Sequence, residues 1–224
     1  MFLIANWKLN KTRNEAFLWI NEFASKLKTF EKGSADVEII ISPSYILIPD
    51  IKEKSLEFNI KVAAQSVSKF DKGSYTGEVS ASQLKDYAEY VIIGHSERKI
   101  FNETLTDAID KIHVALANNL KPIVCFSNAD EYAIIDTAFD ANDLNKMIFA
   151  FEPTSAIGTG NPASKDEVLE IEQKTGLKSF IYGGSVDENN IHEFLELDCI
   201  NGFLVGSASL NSEKFFSILK SICA

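Results

Sequence analysis

The chain has 224 residues, and its 46% hydrophobic and 24% charged residues are typical of a globular protein. This length is sufficient for one sizeable α/β domain. A formal net charge of −10 provides no basic surface to neutralise phosphates, so nucleic acid is excluded as an expected partner. If the protein binds an anion, a local arrangement of groups must hold it.

Eight apolar segments of strand length recur along the chain, and helical segments lie between them. The apolar segments are nearly continuous, as in parallel strands that are covered on both faces. Their positions are 2–6, 37–41, 59–65, 90–93, 122–126, 147–151, 179–182 and 201–205. This alternation predicts an α/β fold, a parallel sheet closed into a (β/α)₈ barrel that forms a single domain over residues 1–224.

Apolar periodicity predicts helices over residues 13–28 and 104–118. The predicted N-terminal caps are Thr104 with Asp107, Ser164 with Glu167, Asp187 for 188–197, and Asn211 or Ser212 for 213–222. The acidic segment between Cys125 and Glu152 is weakly periodic, and we expect at most one short helix there. The barrel should therefore be shortened around its fifth helix.

Cysteine usage and hydropathy favour the cytoplasm. The three cysteines, Cys125, Cys199 and Cys223, form no Cys-x-x-Cys pair, so neither a disulfide framework nor a thiolate metal site is expected. No stretch approaches the roughly 18 apolar residues of a membrane span, and we expect no membrane partner.

Two proton-handling side chains follow predicted strands closely. His95 comes after strand 90–93 and one glycine, and Glu152 directly follows strand 147–151. The carboxyl ends of barrel strands form the active face, so an imidazole and a carboxylate there indicate proton transfer on a small substrate. Residues 96–97 can begin a helical turn, and a helix N-terminus disfavours imidazolium, so we expect His95 to act as a neutral donor.

Anion-binding groups follow other strands. Asn6 and Lys8 stand at alternate positions at the end of the first strand, so we expect both to point the same way. If that direction is inward, Lys8 places a positive charge where a phosphate or oxyanion would lie. Turns at 182–185 and 206–209 follow the seventh and eighth strands, where barrels commonly bind phosphate through backbone N–H groups.

A small glycine-bearing loop, residues 156–160, follows Glu152 and is bounded by Pro153 and Pro162. We interpret it as a lid whose backbone N–H groups can reach a ligand. Residues 158–163 also match a dinucleotide-binding pattern, but that motif opens directly after its strand, whereas other residues intervene here.

Seven motifs, in order, resemble the triosephosphate isomerase family. They are ANWK at 5–8, AQ at 64–65, YTGEV at 75–79, IGHSER at 93–98, FEP with AIGTG at 151–160, YGGSV at 182–186, and GFLVGSASL at 202–210. The resemblance covers nearly the whole chain. It implies an isomerase of glycolysis and gluconeogenesis that interconverts dihydroxyacetone phosphate and D-glyceraldehyde 3-phosphate without a cofactor or a metal.

The resemblance also implies roles for individual residues. Glu152 would transfer the carbon-bound proton, His95 would polarise the carbonyl, Lys8 would stabilise the enediolate and Asn6 would help to orient the site. The implied substrate contacts are Asn6, Trp7, Lys8, Gly158, Ser185, Gly206 and Ser207. The family further implies a homodimer in which the loop 70–80 inserts Thr76 into the partner.

Some positions depart from the usual family pattern. They are Ser66, the lid residues Ser155, Asn161 and Pro162, and Ser207. Ser66 is expected to loosen the support near Lys8. A positive φ at Ser207 would cost about 1 kcal/mol.

Two alternatives remain open at this stage. One is a different phosphate-binding barrel, such as a Schiff-base aldolase, although that requires a lysine deep in the barrel at a strand end. The other is a catalytically silent scaffold, which would not need Asn6, Lys8, His95 and Glu152 together.

Overall fold

The computed structural model describes residues 1–30, 36–153 and 162–224. Its eight parallel strands pair in chain order, and the last pairs with the first to close a barrel. They are β1 (Phe2–Asn6), β2 (Glu38–Ser42), β3 (Lys61–Ala64), β4 (Tyr90–Ile93), β5 (Lys121–Phe126), β6 (Ile148–Phe151), β7 (Phe180–Tyr182) and β8 (Ile200–Val205). The predicted (β/α)₈ barrel is confirmed, because each strand lies at the predicted place.

The helices of the described residues lie between the strands. They are α1 (Arg13–Thr29), α2 (Ile48–Ser55), α3 (Ala81–Leu84), α4 (Ser96–Ile100), α5 (Leu105–Ala117), α6 (Ala129–Ala138), α7 (Ala141–Leu144), α8 (Lys165–Thr175), α9 (Ile191–Leu195) and α10 (Ser212–Cys223). Short 3₁₀ helices occupy Tyr45–Leu47, Leu56–Phe58 and Ser207–Leu210.

The predicted caps can be compared with the observed helix starts. Thr104 forms a capping box at α5, and Ser164 caps α8. Asn211, rather than Ser212, caps α10 by accepting two backbone N–H groups. Asp187 accepts the N–H groups of residues 189 and 190 and so caps a turn. The helix that follows, α9, begins only at Ile191 and is shorter than the predicted helix over 188–197.

The prediction of at most one short helix between Cys125 and Glu152 was wrong. This segment holds α6, with 10 residues, and α7, with 4. Capping explains both helices, because Asn128 accepts the N–H of Glu131 and Asp140 accepts the N–H of Asp143. The apolar stripe of α6 is narrow, which explains why its periodicity is weak.

Two apolar layers pack on the strands. The barrel interior holds Ile4, Ile40, Ala63, Tyr90, Ile92, Ile123, Cys125, Ala150, Ile181 and Leu204. The neighbouring strand residues point outward into a larger core under the helices. Side chains thus fill the barrel interior, so a ligand can bind only at the ends of the strands.

Candidate active site

A cavity of about 390 Å³ opens at the carboxyl ends of the strands. The predicted site residues that line it are Asn6, Trp7, Lys8, His95, Glu152, Ser185, Gly206 and Ser207. They come from the ends of β1, β4, β6, β7 and β8. Parallel strands carry all of these ends to one face, which is why residues far apart in the chain meet here.

Glu152 and His95 form the centre of this cavity. Nε2 of His95 lies 2.9 Å from Oε1 of Glu152, and both residues are buried. The other oxygen, Oε2, accepts the backbone N–H of Ser96 at 2.8 Å. The carboxylate is therefore held by two donors at the end of β6.

The protonation of His95 follows from its hydrogen bonds. His95 is the N-cap of α4, and its Nδ1 accepts the backbone N–H of Glu97 at 3.2 Å. An accepting nitrogen carries no proton, so the proton of the neutral ring is on Nε2, which faces Glu152. Nε2 can therefore donate a hydrogen bond to Oε1 of Glu152, and the neutral form of His95 stays a prediction.

Gly94 makes the turn between β4 and His95. Its φ of +74° is in the left-handed region, and a Cβ there would lie 3.0 Å from the carbonyl oxygen of Cys125. A side chain at this position would be strained and crowded, so the glycine allows His95 to enter the cavity.

The environment of Glu152 favours its charged form. Burial raises the pKa of Glu152, but its contact with the His95 ring and the hydrogen bond from the backbone of Ser96 lower it by more. The resulting pKa lies below the ordinary value. At neutral pH the side chain is a carboxylate, which is the form that accepts a proton.

Lys8 reaches the cavity by a different route from the predicted one. Strand β1 ends at Asn6, and Lys8 has a left-handed backbone with φ of +52°. Strand alternation therefore does not explain why both residues line the cavity. The N–H of Lys8 donates to Oδ1 of Asn6 at 3.1 Å, and Nζ of Lys8 forms a 2.8 Å ion pair with Glu97.

Gln65 supports the backbone of this segment. Its Nε2 donates to the carbonyl oxygens of Lys8 and Ser42, each at 2.9 Å. On the opposite side, a Cβ at Gly206 would lie 3.6 Å from Nζ of Lys8. The ammonium group of Lys8 thus lies beside the loop after β8.

The loops after β7 and β8 supply backbone groups to the cavity. Ser185 has φ of +53°, and its carbonyl oxygen accepts Nδ2 of Asn190 at 2.8 Å. Ser207 begins a 3₁₀ helix and has no positive φ. The backbone strain that a positive φ would have caused at this residue is therefore absent. The N–H of Ser209 donates to the carbonyl oxygen of Gly206 at 2.9 Å, which closes this turn.

Only part of the predicted lid region lies within the described residues. Gly158, with Ser155 and Asn161 of the predicted lid, lies outside the described residues. Pro162 is described, and the next residue, Ala163, donates its N–H to Oη of Tyr182 at 2.7 Å.

A second cavity of about 270 Å³ adjoins the first and shares Asn6, Lys8 and His95 with it. Thr76 is exposed, and its neighbour Gly77 lines this second cavity. Ser66 also lines it and accepts Nζ of Lys111 at 3.2 Å.

Sequence reasoning missed Ser96 and Asn10 as lining residues. Ser96 lies in the first turn of α4, where backbone N–H groups lack helical partners, and this signal was available in the sequence. Asn10 donates to the carbonyl oxygen of Trp7 at 2.8 Å, a contact that no sequence pattern indicated.

No group of three or more His, Cys, Asp or Glu among the described residues could hold a metal ion. None of the helices in this part of the chain has the length and apolar character needed to cross a bilayer.

The sequence matches the family model for triosephosphate isomerase over residues 1–222. The chain belongs to the triosephosphate isomerase family. Curated triosephosphate isomerases from Alkaliphilus oremlandii, Dehalococcoides mccartyi and Mycoplasmopsis pulmonis are 34%, 37% and 36% identical to it. These alignments cover 97%, 98% and 98% of this chain and 97%, 95% and 96% of the relatives. The resemblance found in the motifs is thus confirmed for the family.

Proposed function

We propose that this chain is a triosephosphate isomerase, which interconverts dihydroxyacetone phosphate and D-glyceraldehyde 3-phosphate through an enediolate. The observation that carries this proposal is the 2.9 Å approach of His95 Nε2 to Glu152 Oε1 in a cavity lined by Lys8. A carboxylate base, a neutral donor and a cation are what an enediolate mechanism needs.

Glu152 is the proposed base. Its carboxylate takes the proton from carbon 1 of dihydroxyacetone phosphate, and the C–H electron pair becomes part of the enediolate. It then returns the proton to carbon 2, which yields the aldehyde. Both carboxylate oxygens accept hydrogen bonds within the protein, so Glu152 must exchange one of them for the substrate.

His95 is the proposed electrophile. A neutral imidazole that polarises the carbonyl is the known arrangement of this enzyme family. The Nε2–H group can donate to the carbonyl oxygen and shuttle a proton between the two enediolate oxygens. The acceptor role of Nδ1 keeps this tautomer in place.

Lys8 and Asn6 are the proposed electrostatic and orienting groups. Lys8 places its ammonium at the cavity, where negative charge develops on the enediolate. Asn6 accepts the N–H of Lys8 and so holds the turn that carries this lysine.

The phosphate group of the substrate is proposed to bind on the β8 side of the cavity. Gly206, Ser207 and Ser185 line this side, and Nζ of Lys8 lies close to it. Backbone N–H groups with one nearby cation can bind a phosphate even though the chain is acidic. Trp7 and Gly158 complete the proposed substrate contacts.

We also propose that the protein forms a homodimer. Each protomer would contribute a single barrel domain, residues 1–224. The second cavity is lined by Tyr45, Gly77 and Arg98. Close to these residues in the chain, Ile46, Tyr75 and Phe101 are 85%, 43% and 71% exposed. Three segments that meet at the second cavity thus expose large apolar side chains, as a partner surface would.

The cytoplasm is the proposed location. Cys125 and Cys199 are buried as free thiols. Free cysteines are typical of proteins in a reducing compartment.

A coupled isomerase assay on the wild type and on Glu152→Asp tests the function. We expect an active wild type and a variant whose kcat is about 10²–10⁴ times lower, because the shortened carboxylate misplaces the base. The exposed Glu196→Asp is the matched control. An inactive wild type would favour the scaffold, and trapping of the chain by borohydride with a carbonyl substrate would favour a Schiff-base aldolase.

A further inference from the structure

The segment that carries Lys8 has an unusual backbone. Both Lys8 and Lys11 adopt left-handed conformations, with φ of +52° and +70°. Residues with a Cβ rarely take this conformation because the side chain crowds the backbone. Contacts elsewhere must therefore hold this segment in its observed shape.

Lys11 makes two such contacts on the β8 side. Its Nζ donates to the carbonyl oxygen of Leu210 at 2.8 Å, and it lies 5.2 Å from the centroid of the Trp7 ring. The Trp7 side chain is fully buried, and Lys11 is half-buried. Burial lowers the pKa of Lys11 by more than Glu15 and Glu22 raise it, so this ammonium is partly removed from water.

These contacts join two walls of the active-site cavity. Trp7 and Leu210 both line the cavity, whereas Lys11 does not. Leu210 ends the 3₁₀ helix that begins at Ser207. Lys11 thus ties the loop after β1, which carries Lys8, to the loop after β8, which carries the proposed phosphate contacts.

Gln65 holds the same segment from the other side through the carbonyl oxygen of Lys8. The segment is therefore fixed at two points, one towards β3 and one towards β8. Removal of either point would let the ammonium of Lys8 move relative to the backbone N–H groups near Gly206.

We propose that Lys11 is a positioning residue for anion binding, which sets the separation between the ammonium of Lys8 and the β8 loop. It acts through Trp7 and Leu210 and does not touch the substrate. This inference rests on the proposed function, because it takes the anion to be the phosphate group of the triose.

The test compares Lys11→Met, Lys11→Arg and Lys11→Gly with the wild type. Inorganic phosphate is the probe, and its dissociation constant is measured by ³¹P NMR titration alongside kcat, KM and thermal unfolding. Lys146→Met is the matched control, because Lys146 pairs with Asp143 in the turn before β6, at the opposite end of the barrel.

We expect Lys11→Met to weaken phosphate binding about fivefold, as the loss of one ordinary hydrogen bond would, and to raise KM in parallel. Lys11→Arg should bind within about twofold of the wild type, since it keeps a cation and a donor. Lys11→Gly relieves the left-handed backbone, so it should bind phosphate as weakly as Lys11→Met yet unfold at the same or a higher temperature.

The proposal would be overturned if Lys11→Met binds phosphate as tightly as the wild type. It would also be overturned if Lys146→Met loses as much phosphate affinity as Lys11→Met does. If Lys11→Met does not fold, the phosphate affinities of Lys11→Gly and Lys11→Arg provide the test. Equal affinities of these two variants would overturn the proposal. If phosphate binding depends on Lys11 as expected but the wild type turns over no triose phosphate, the proposed function is refuted and the role of Lys11 stands.

Discussion

The Nε2 atom of His95 lies 2.9 Å from Oε1 of Glu152, and the same carboxylate accepts the N–H of Ser96. The proposed base is therefore held directly by its proposed partner. This arrangement keeps the carboxylate charged in a buried place, because two donors compensate for the loss of water.

The tautomer of His95 can be observed directly. We expect ¹⁵N NMR of the labelled imidazole at pH 7 to show a protonated Nε2 and an unprotonated Nδ1, since Nδ1 accepts the N–H of Glu97. His192, whose Nε2 lies 3.3 Å from the Ser221 hydroxyl, is exposed and serves as an internal comparison. A protonated Nδ1 in His95 would contradict the proposed electrophile.

Replacement of Lys8 by methionine removes the cation and keeps the length of the side chain. We expect kcat/KM to fall by about 10²–10³, because a preorganised charge at a developing oxyanion is lost. Thermal stability should change little, since the ion pair of Lys8 with Glu97 is partly exposed to solvent. Lys174→Met removes another exposed ion pair, with Glu170, and should leave turnover unchanged. Equal activities of the two variants would argue against the role of Lys8.

Asp107 links stability to pH. A hydrogen bond from Lys69, followed by those from Thr104, holds the pKa of Asp107 well below its usual range. A lowered carboxyl pKa stabilises the folded state above the unfolded pKa of about 4, and this stability is lost as pH falls further. We expect the urea midpoint of Asp107→Asn to fall less steeply than that of the wild type from about pH 5 downwards.

The control for this experiment is Asp110→Asn on the same helix, α5. It should retain the pH dependence of the wild type. If the Asp107 and Asp110 variants have the same slope, the hydrogen bonds of Asp107 do not contribute to acid stability.

The proposed homodimer is tested by sedimentation. We expect the wild type to sediment at twice the chain mass of 24.9 kDa. Phe101→Glu should raise the dimer dissociation constant about tenfold or more, because a buried phenylalanine contributes about 1.5–3 kcal/mol. Leu169→Glu is a matched control, since Leu169 is 43% exposed on α8. A monomeric wild type, or identical behaviour of both variants, would refute the proposed surface.

Much of the fold could be inferred from the chain alone. Parallel strands buried on both faces must be apolar throughout, so their positions are visible as uninterrupted apolar runs. Caps such as Thr104 are equally local, because a side chain contacts a backbone group three residues away. The helix α6 escaped detection since it buries few side chains on its apolar stripe, Tyr132 and Ile135.

The residues of the site could also be predicted from the sequence, because all parallel strands of a barrel have their carboxyl ends on the same face. His95, Glu152 and Gly206 could be placed together by this rule. The contacts among these residues could not. The contact of His95 with Glu152, the ion pair of Lys8 with Glu97 and the hydrogen bond from Lys11 to Leu210 depend on side chains that meet across the closed barrel. Such contacts join distant parts of the chain at distances of a few ångströms, which no local pattern of residues encodes.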